Sequence, residues 1–379
     1  MLLSMYLGLQ LTAALLLLSG HRGDALFLFT NRSNPYLVDT FALPSVQRTL
    51  PEPLMSNFGL CLANPSDAVL GARHYGPFPP RWPGEVHLTH LKVSTTSFPI
   101  LNVTRSLLET DSVVEQIRLL KRKTPVILTV FNNEFVHISK GYVHLLKAWL
   151  AHIARLGLLE HVLLVGSTWD NKDECGLLSM YAPCWVHTPS MNLGAKDGAG
   201  GRKLAADTRW LYVDALLRAG FDVVLSDADA FFLENPLPHF PANLHVVGLN
   251  DRMFDGSSDM EYCKEAKSLC QSTAFTMLRS TPETRLVVSD FLEQLCHGGG
   301  WEQQMWQEFA MRLGDKYAML NTRGHNTFSN WHVVKHAIEA SEDISVVVLH
   351  MGAVSGDMKV TVFKCLQLWL ELDNVVARV

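Results

Sequence analysis

The chain has 379 residues, 48% of them apolar, enough for one large domain or two ordinary ones with a substantial core. Its formal net charge of −5 excludes a general nucleic-acid binder, which needs a basic surface. The seven cysteines, at 61, 175, 184, 263, 270, 296 and 365, include no CxxC pair, so no structural zinc site is spelled out.

The segment Leu2–Ser19 is almost wholly apolar, and a buried N-terminal helix is disfavoured because the run has no polar face. It sits at the short limit for crossing a bilayer. Residues 1–25 read as a signal peptide, cut after Gly20 or Ala25, or as an uncleaved signal anchor. His21 and Arg22 follow the apolar block instead of preceding it, which by the positive-inside tendency favours cleavage. Either reading places the remainder in the secretory pathway, in the ER or Golgi lumen, or outside the cell if the signal is removed. Sequons at Asn31 and Asn102 are compatible with that compartment. Disulfides are permitted there, but an odd cysteine count leaves a thiol over and the pairing open.

Residues 26–123 are studded with proline (Pro35, Pro44, Pro51, Pro53, Pro77, Pro79, Pro80, Pro83) and read as a stem or an irregular N-terminal lobe. Alternation makes Glu85–Val93 a strand. From residue 124 the pattern changes. Pro125–Asn132 is a β-rich run buried on both faces. A helix follows, with Val143, Leu146, Leu150 and Ile153 on one stripe and Gly157 at its end. His161–Gly166 is the next strand. Asn192–Lys203 is glycine-rich but lacks the order of a P-loop, and reads as a lid. The helix after it carries Leu204, Thr208, Leu211, Ala215 and Ala219 on one face and ends at Gly220. Phe221–Asp227 is the third strand. Alternating strands and helices predict an α/β fold with parallel strands and crossover helices.

Asp227 and Asp229 come just after the third strand, where open α/β sheets bind their ligands. Two buried carboxylates are costly unless a positive charge offsets them. Their hard oxygens suit Mg²⁺ or Mn²⁺, and such an ion also takes phosphate oxygens from a substrate.

The run Gly220–Pro236, "GFDVVLSDADAFFLENP", resembles the core of the nucleotide-diphospho-sugar transferases, GT-A glycosyltransferases of the α-xylosyl, arabinosyl and galactosyl type (family 77). The likeness covers about residues 124–365 and is strongest over 203–240, so the expected domain is 124–379. It implies a GT-A, Rossmann-like, mostly parallel sheet flanked by helices. It implies that Asp227 and Asp229 hold Mn²⁺ (or Mg²⁺) on the donor's two phosphates, with Asp227 also near the ribose. "TVFNNEF" resembles the family's first strand and turn, which puts Val130, Phe131 and Asn132 beside the base or ribose. "WEQQMWQEF" (Trp301–Phe309) resembles a segment that places Glu302 and Gln303 near the transferred sugar, although Glu302 stands for the usual aspartate and Gln307 for asparagine. The alternative there is a helix start with Glu302 in its first turn.

Ile344–His350 reads as a buried strand, and the resemblance makes His350 a third metal ligand through a neutral imidazole nitrogen. Gly352 and Gly356 would admit the diphosphate to the backbone, and Lys359 would neutralise it. Arg209 stands where the family has lysine, to meet the donor or hold an acidic side chain; the alternative is an exposed helix cation. In "CQSTAFTMLRST" (Cys270–Thr281), Ser272 and Ala274 replace the family's Asn-x-Gly turn while Arg279 is kept, which leaves the sugar open.

The implied activity is transfer of a sugar from a nucleotide-diphosphate sugar, a UDP-sugar, to a glycan or glycoprotein hydroxyl with retention of configuration. Two other readings stand beside it. A DxD phosphohydrolase of the haloacid-dehalogenase type has Thr or Val where this chain has Phe231, and places the motif near the domain's start. A lumenal pseudo-glycosyltransferase would bind sugars or a partner protein without chemistry.

Overall fold

The computed structural model describes residues 98–104, 115–116, 118, 124–132, 142–188, 200–250, 271–297, 302–320, 328–330, 346–352, 356–365, 368–370 and 372–375. All fall in the unit Pro35–Val379; a second unit, Met1–Asn34, lies outside the described residues, as does the strand expected at Glu85–Val93. Among the described residues no helix is long and apolar enough to cross a membrane.

In chain order the elements are β1 (Leu101–Thr104), β2 (Val126–Phe131), α1 (Tyr142–Arg155), β3 (Val162–Gly166), α2 (Lys172–Leu178), β4 (Cys184–Thr188), α3 (Gly200–Arg218), β5 (Val223–Ser226) and β6 (Ala230–Phe232). There follow β7 (Val246–Asn250), β8 (Gln271–Leu278), α4 (Pro282–His297), α5 (Glu302–Ala310), β9 (Tyr317–Leu320), β10 (Phe328–Asn330), β11 (Val348–His350) and α6 (Gly356–Cys365). Eight strands form one sheet in the order β1-β4-β3-β2-β5-β8-β7-β9. The run from β1 to β5 is parallel throughout, and β8 is antiparallel to both its neighbours. A second sheet has the order β10-β11-β6. The expected mixed, mostly parallel α/β architecture is therefore present.

The sheet separates two apolar layers because its strands are apolar on both faces. Ile127, Phe131, Val162, Leu164 and Val224 face α1, where Leu146, Trp149, Leu150 and Ile153 are almost fully buried. Val126, Leu128, Leu163, Val165, Val223 and Leu225 face the other way, onto a cluster that includes Trp210, Phe291 and Trp306. Trp210 is the hub of that side, 4.3 Å from Trp306 and 4.8 Å from Phe291 between ring centroids.

Three of the four residues expected on the α1 stripe are buried as expected; the side chain of Val143 lies outside the described set. The single stripe expected for α3 is too narrow. Thr208 and Ala215 are buried, but Leu211 and Ala219 are only half-buried, while Trp210, Tyr212, Val213, Leu216 and Leu217 are all buried. The reason is that α3 is covered twice, by the sheet beneath it and by α4 and α5 beside it. Gly157 and Gly220 end α1 and α3 with φ of 71° and 87°, the left-handed cap that only glycine adopts freely.

Leu101–Thr104, from the proline-rich region, is the edge strand of the main sheet, and the sequon residue Asn102 is exposed on it. The end of the glycine-rich stretch, from Gly200, is the first turn of α3; residues 192–199 lie outside the described set. The strand expected at 344–350 is shorter, Val348–His350, and belongs to the small sheet. Cys175 and Cys184 form a disulfide that ties α2 to β4.

Candidate active site

The main sheet hands the chain to the small sheet at one turn. β5 stops at Ser226 and β6 begins at Ala230, so Asp227, Ala228 and Asp229 form the joint between them. Backbone hydrogen bonds lock it. Asp227 N–H donates to the Ala274 carbonyl (2.7 Å), Ala230 N–H to the Asp227 carbonyl (3.1 Å), and Met351 N–H to the Asp229 carbonyl (3.0 Å). The Thr129 hydroxyl in β2 donates to the Ser226 carbonyl at 2.8 Å. The antiparallel register pairs His350 with Ala230, which sets the imidazole beside Asp229.

One candidate ligand atom from each of Asp227, Asp229 and His350 falls in a group spanning no more than 4.8 Å. His350 Nε2 lies 3.7 Å from Asp229 Oδ2. Asp229 and His350 are each 6% exposed, whereas the Asp227 side chain is 39% exposed and forms the open edge of the group. Two carboxylates and an imidazole are a donor set that fits a hard or borderline divalent cation.

The chain also brings its own positive charge to these acids. Arg209, on α3, donates from Nη1 to Asp227 Oδ1 at 3.0 Å. Its other nitrogens grip Glu302: Nε donates to Oε1 at 3.1 Å, and Nη2 to Oε1 and Oε2 at 2.7 and 2.6 Å. Nη2 also donates to Thr273 Oγ1 at 2.7 Å. Trp210 Nε1 donates to Glu302 Oε1. On the far side, Lys359 Nζ donates to Asp229 Oδ2. Three carboxylates thus face two permanent cations, and one net negative charge remains for a bound cation to offset.

These neighbours pull the two aspartates apart. The partly buried Asp227 carboxyl is pushed up by desolvation, with Arg209 opposing and Asp229 adding to it, and its open edge to solvent limits that rise. Burial also pushes Asp229 up, but the Lys359 ammonium and His350 outweigh it and hold Asp229 below that range. Asp229 is the more acidic of the two.

Arg209 is not an exposed helix cation: its side chain is 12% exposed and holds two acidic groups. Glu302 does begin α5, and both its oxygens are engaged. Gln303 follows it half-buried. Val130 is half-buried at the end of β2, and Asn132 is buried just beyond. The Phe131 ring belongs to the core on the α1 side, and its carbonyl accepts from Ser167 N–H at 2.8 Å. Gly356 opens α6, three residues before Lys359. The Ser272–Ala274 departure lies inside β8: Ser272 Oγ accepts from Ala274 N–H at 3.2 Å, and the Ala274 carbonyl supports Asp227. Trp210 and Thr273 are the members that sequence reading missed. Each is adjacent to a flagged position, but neither residue type suggests a contact to a glutamate so far away in the chain.

The DxD turn after the fifth strand of the mostly parallel sheet, with the late histidine and lysine beside that turn, makes one cluster of acids and cations at the carboxyl end of β5. The chain belongs to the nucleotide-diphospho-sugar transferase family, whose profile matches residues 159–362. No curated protein matches it by sequence. Solved structures to which it is similar include the apo form of the bifunctional glycosyltransferase WbbM, at 12% identity over 67% of this chain and 51% of that one, TM-score 0.41. Mouse xyloside xylosyltransferase 1, also apo, is 13% identical over 60% of this chain and 98% of its own, TM-score 0.32. Galactosyltransferase LgtC in complex with donor and acceptor sugar analogs is 9% identical over 64% and 95%, TM-score 0.37. The chain spans about half the length of WbbM. The family match sets aside the phosphohydrolase alternative.

Proposed function

We propose that this protein is a glycosyltransferase that moves a sugar from a UDP-sugar to a hydroxyl of a glycan or glycoprotein, with retention of configuration, in the lumen of the secretory pathway. The observation that carries this reading is the convergence of Asp227, Asp229 and His350 beyond the carboxyl end of β5. Those three residues would hold Mn²⁺ or Mg²⁺. When bound, the cation supplies Lewis-acid stabilisation to the departing nucleoside diphosphate.

The chain's own groups do the remaining work. Asp229 stays ionised because Lys359 and His350 flank it, so a ligand oxygen is ready near neutral pH. Lys359 adds positive charge on the side where the leaving group's charge develops. Arg209 fixes the Asp227 carboxylate, and Glu302 fixes Arg209. Glu302 spends both oxygens on Arg209 and Trp210, so it serves as a positioning group and not as a nucleophile. A front-face transfer, with the acceptor hydroxyl attacking from the leaving-group side, needs no protein nucleophile and is the route consistent with retention. Lumenal residence is supported by the Cys175–Cys184 disulfide, since such bonds persist in oxidising compartments.

The test is UDP release from a panel of UDP-sugars with Mn²⁺, with and without acceptor glycans, followed by NMR of the product's anomeric configuration. One sugar should release UDP faster than the others, and Asp229→Asn should abolish that release. Turnover of no UDP-sugar, or inversion in the product, would refute the corresponding part.

A further inference from the structure

Lys359 and His350 address the same atom. Lys359 Nζ donates to Asp229 Oδ2, and His350 Nε2 lies 3.7 Å from that oxygen. Oδ2 is thus the Asp229 oxygen beside the His350 imidazole. It cannot serve an ammonium and a divalent cation equally well. Two positive charges within contact distance of one buried oxygen repel strongly where little water screens them, and Asp229 is only 6% exposed.

Lys359 is the partner able to move. Its ammonium is a compact charge on a flexible four-carbon stem, rooted near the start of α6 and 23% exposed. Asp229 and His350 are held by the register between β6 and β11 and by the Met351 N–H bond to the Asp229 carbonyl. Arg209, by contrast, is clamped by Glu302 and Thr273 and keeps its place on Asp227.

We propose that Lys359 is an internal competitor for Asp229 Oδ2. A divalent cation displaces it, and the displaced ammonium becomes the group that meets the donor's diphosphate. Resting on the metal-dependent reading above, the exchange couples the two ligands. The cation must evict Lys359 when it binds alone, and the diphosphate gives the evicted charge a new partner. Each ligand therefore tightens the other, as linkage requires.

The test is Mn²⁺ binding without donor, followed by the loss of the free-ion electron paramagnetic resonance signal, in wild type, Lys359→Met and Lys359→Gln. Each titration is repeated with UDP. Both variants should bind Mn²⁺ alone at least tenfold more tightly than wild type, and the gain in Mn²⁺ affinity that UDP confers on wild type should shrink in both. Lys364→Met, which removes an exposed charge from the same helix, should leave Mn²⁺ affinity within twofold. The two Lys359 variants guard against one failing to fold, which circular dichroism reports. Mn²⁺ affinity unchanged or weakened in the Lys359 variants, with wild type still binding, overturns this inference and spares the metal-dependent reading. Tighter Mn²⁺ binding with the UDP gain intact also overturns it, since a mere nearby charge would act that way. Absence of Mn²⁺ binding in wild type and variants, with or without UDP, overturns both.

Discussion

Arg209 and Glu302 meet as a two-oxygen ion pair, with Nη2 2.6 Å from Oε2 and Nε 3.1 Å from Oε1. The two side chains are 12% and 8% exposed; without Arg209 the Glu302 carboxylate would be a buried charge with no cation, and without Glu302 the Arg209 guanidinium would rest on Asp227 alone. Breaking such a pair from one side costs about 3–5 kcal/mol. Glu302→Ala is therefore predicted to lower unfolding stability by about 3 kcal/mol in urea denaturation, and to loosen Arg209 from Asp227. The double variant Arg209→Met, Glu302→Leu should cost less than the two single changes summed, with a coupling of about 1–3 kcal/mol. Strict additivity would mean that the pair does not hold the site together.

His187 gives a pH dependence of definite sign. Burial under Tyr212 on the α3 side drives its pKa down to about 4, against about 6.5 for an unfolded histidine. Below pH 6.5 the unfolded chain takes up a proton that the folded chain refuses. Stability is therefore lost as pH falls from about 6.5 toward 4, with a slope approaching about 1.4 kcal/mol per pH unit from this group. Among the described residues neither ring nitrogen has a hydrogen-bond partner, so His187→Phe gives up no bond there. That variant should match or exceed wild-type stability at pH 7 and show a shallower decline toward pH 5, read by thermal melts across the range. A decline as steep as wild type would remove His187 as its source.

The disulfide between Cys175 and Cys184 closes a short loop, with a sequence separation of 9. For a loop of that length the chain-entropy argument gives about 2–3 kcal/mol. Cys184→Ala should lose roughly that much in denaturant titrations, and the wild-type midpoint should fall on adding reductant. A midpoint indifferent to reductant would contradict the bond's stabilising role.

Much of this fold could be read from residue order alone. β2, α1, β3, α3 and β5 each carry a complete local signal: apolar runs bounded by turns, a helical stripe, and Gly157 or Gly220 at a helix end. The DxD position followed from strand polarity. β4 went unread because five residues, "CWVHT", hold too little periodicity to separate a buried strand from a loop. β6 could not be found either, since three residues become a strand only by pairing with β11, over a hundred positions later. The same distance hid how the acids are balanced. A positive charge was needed at Asp227 and Asp229, and a metal answered that need on paper. Arg209 was expected to meet the donor or hold an acidic side chain, and it holds Asp227 and Glu302; that Lys359 stands on Asp229 is a fact of packing between α6 and the DxD turn.

The most direct test of the central claim is UDP binding by calorimetry on residues 26–379, with Mn²⁺ and with chelator, beside the Asp229→Ala variant. Binding that requires Mn²⁺ and disappears in the variant is the predicted result. UDP binding that persists in chelator and in Asp229→Ala, or no binding in any condition, would contradict a metal-assisted donor site built on Asp227, Asp229 and His350.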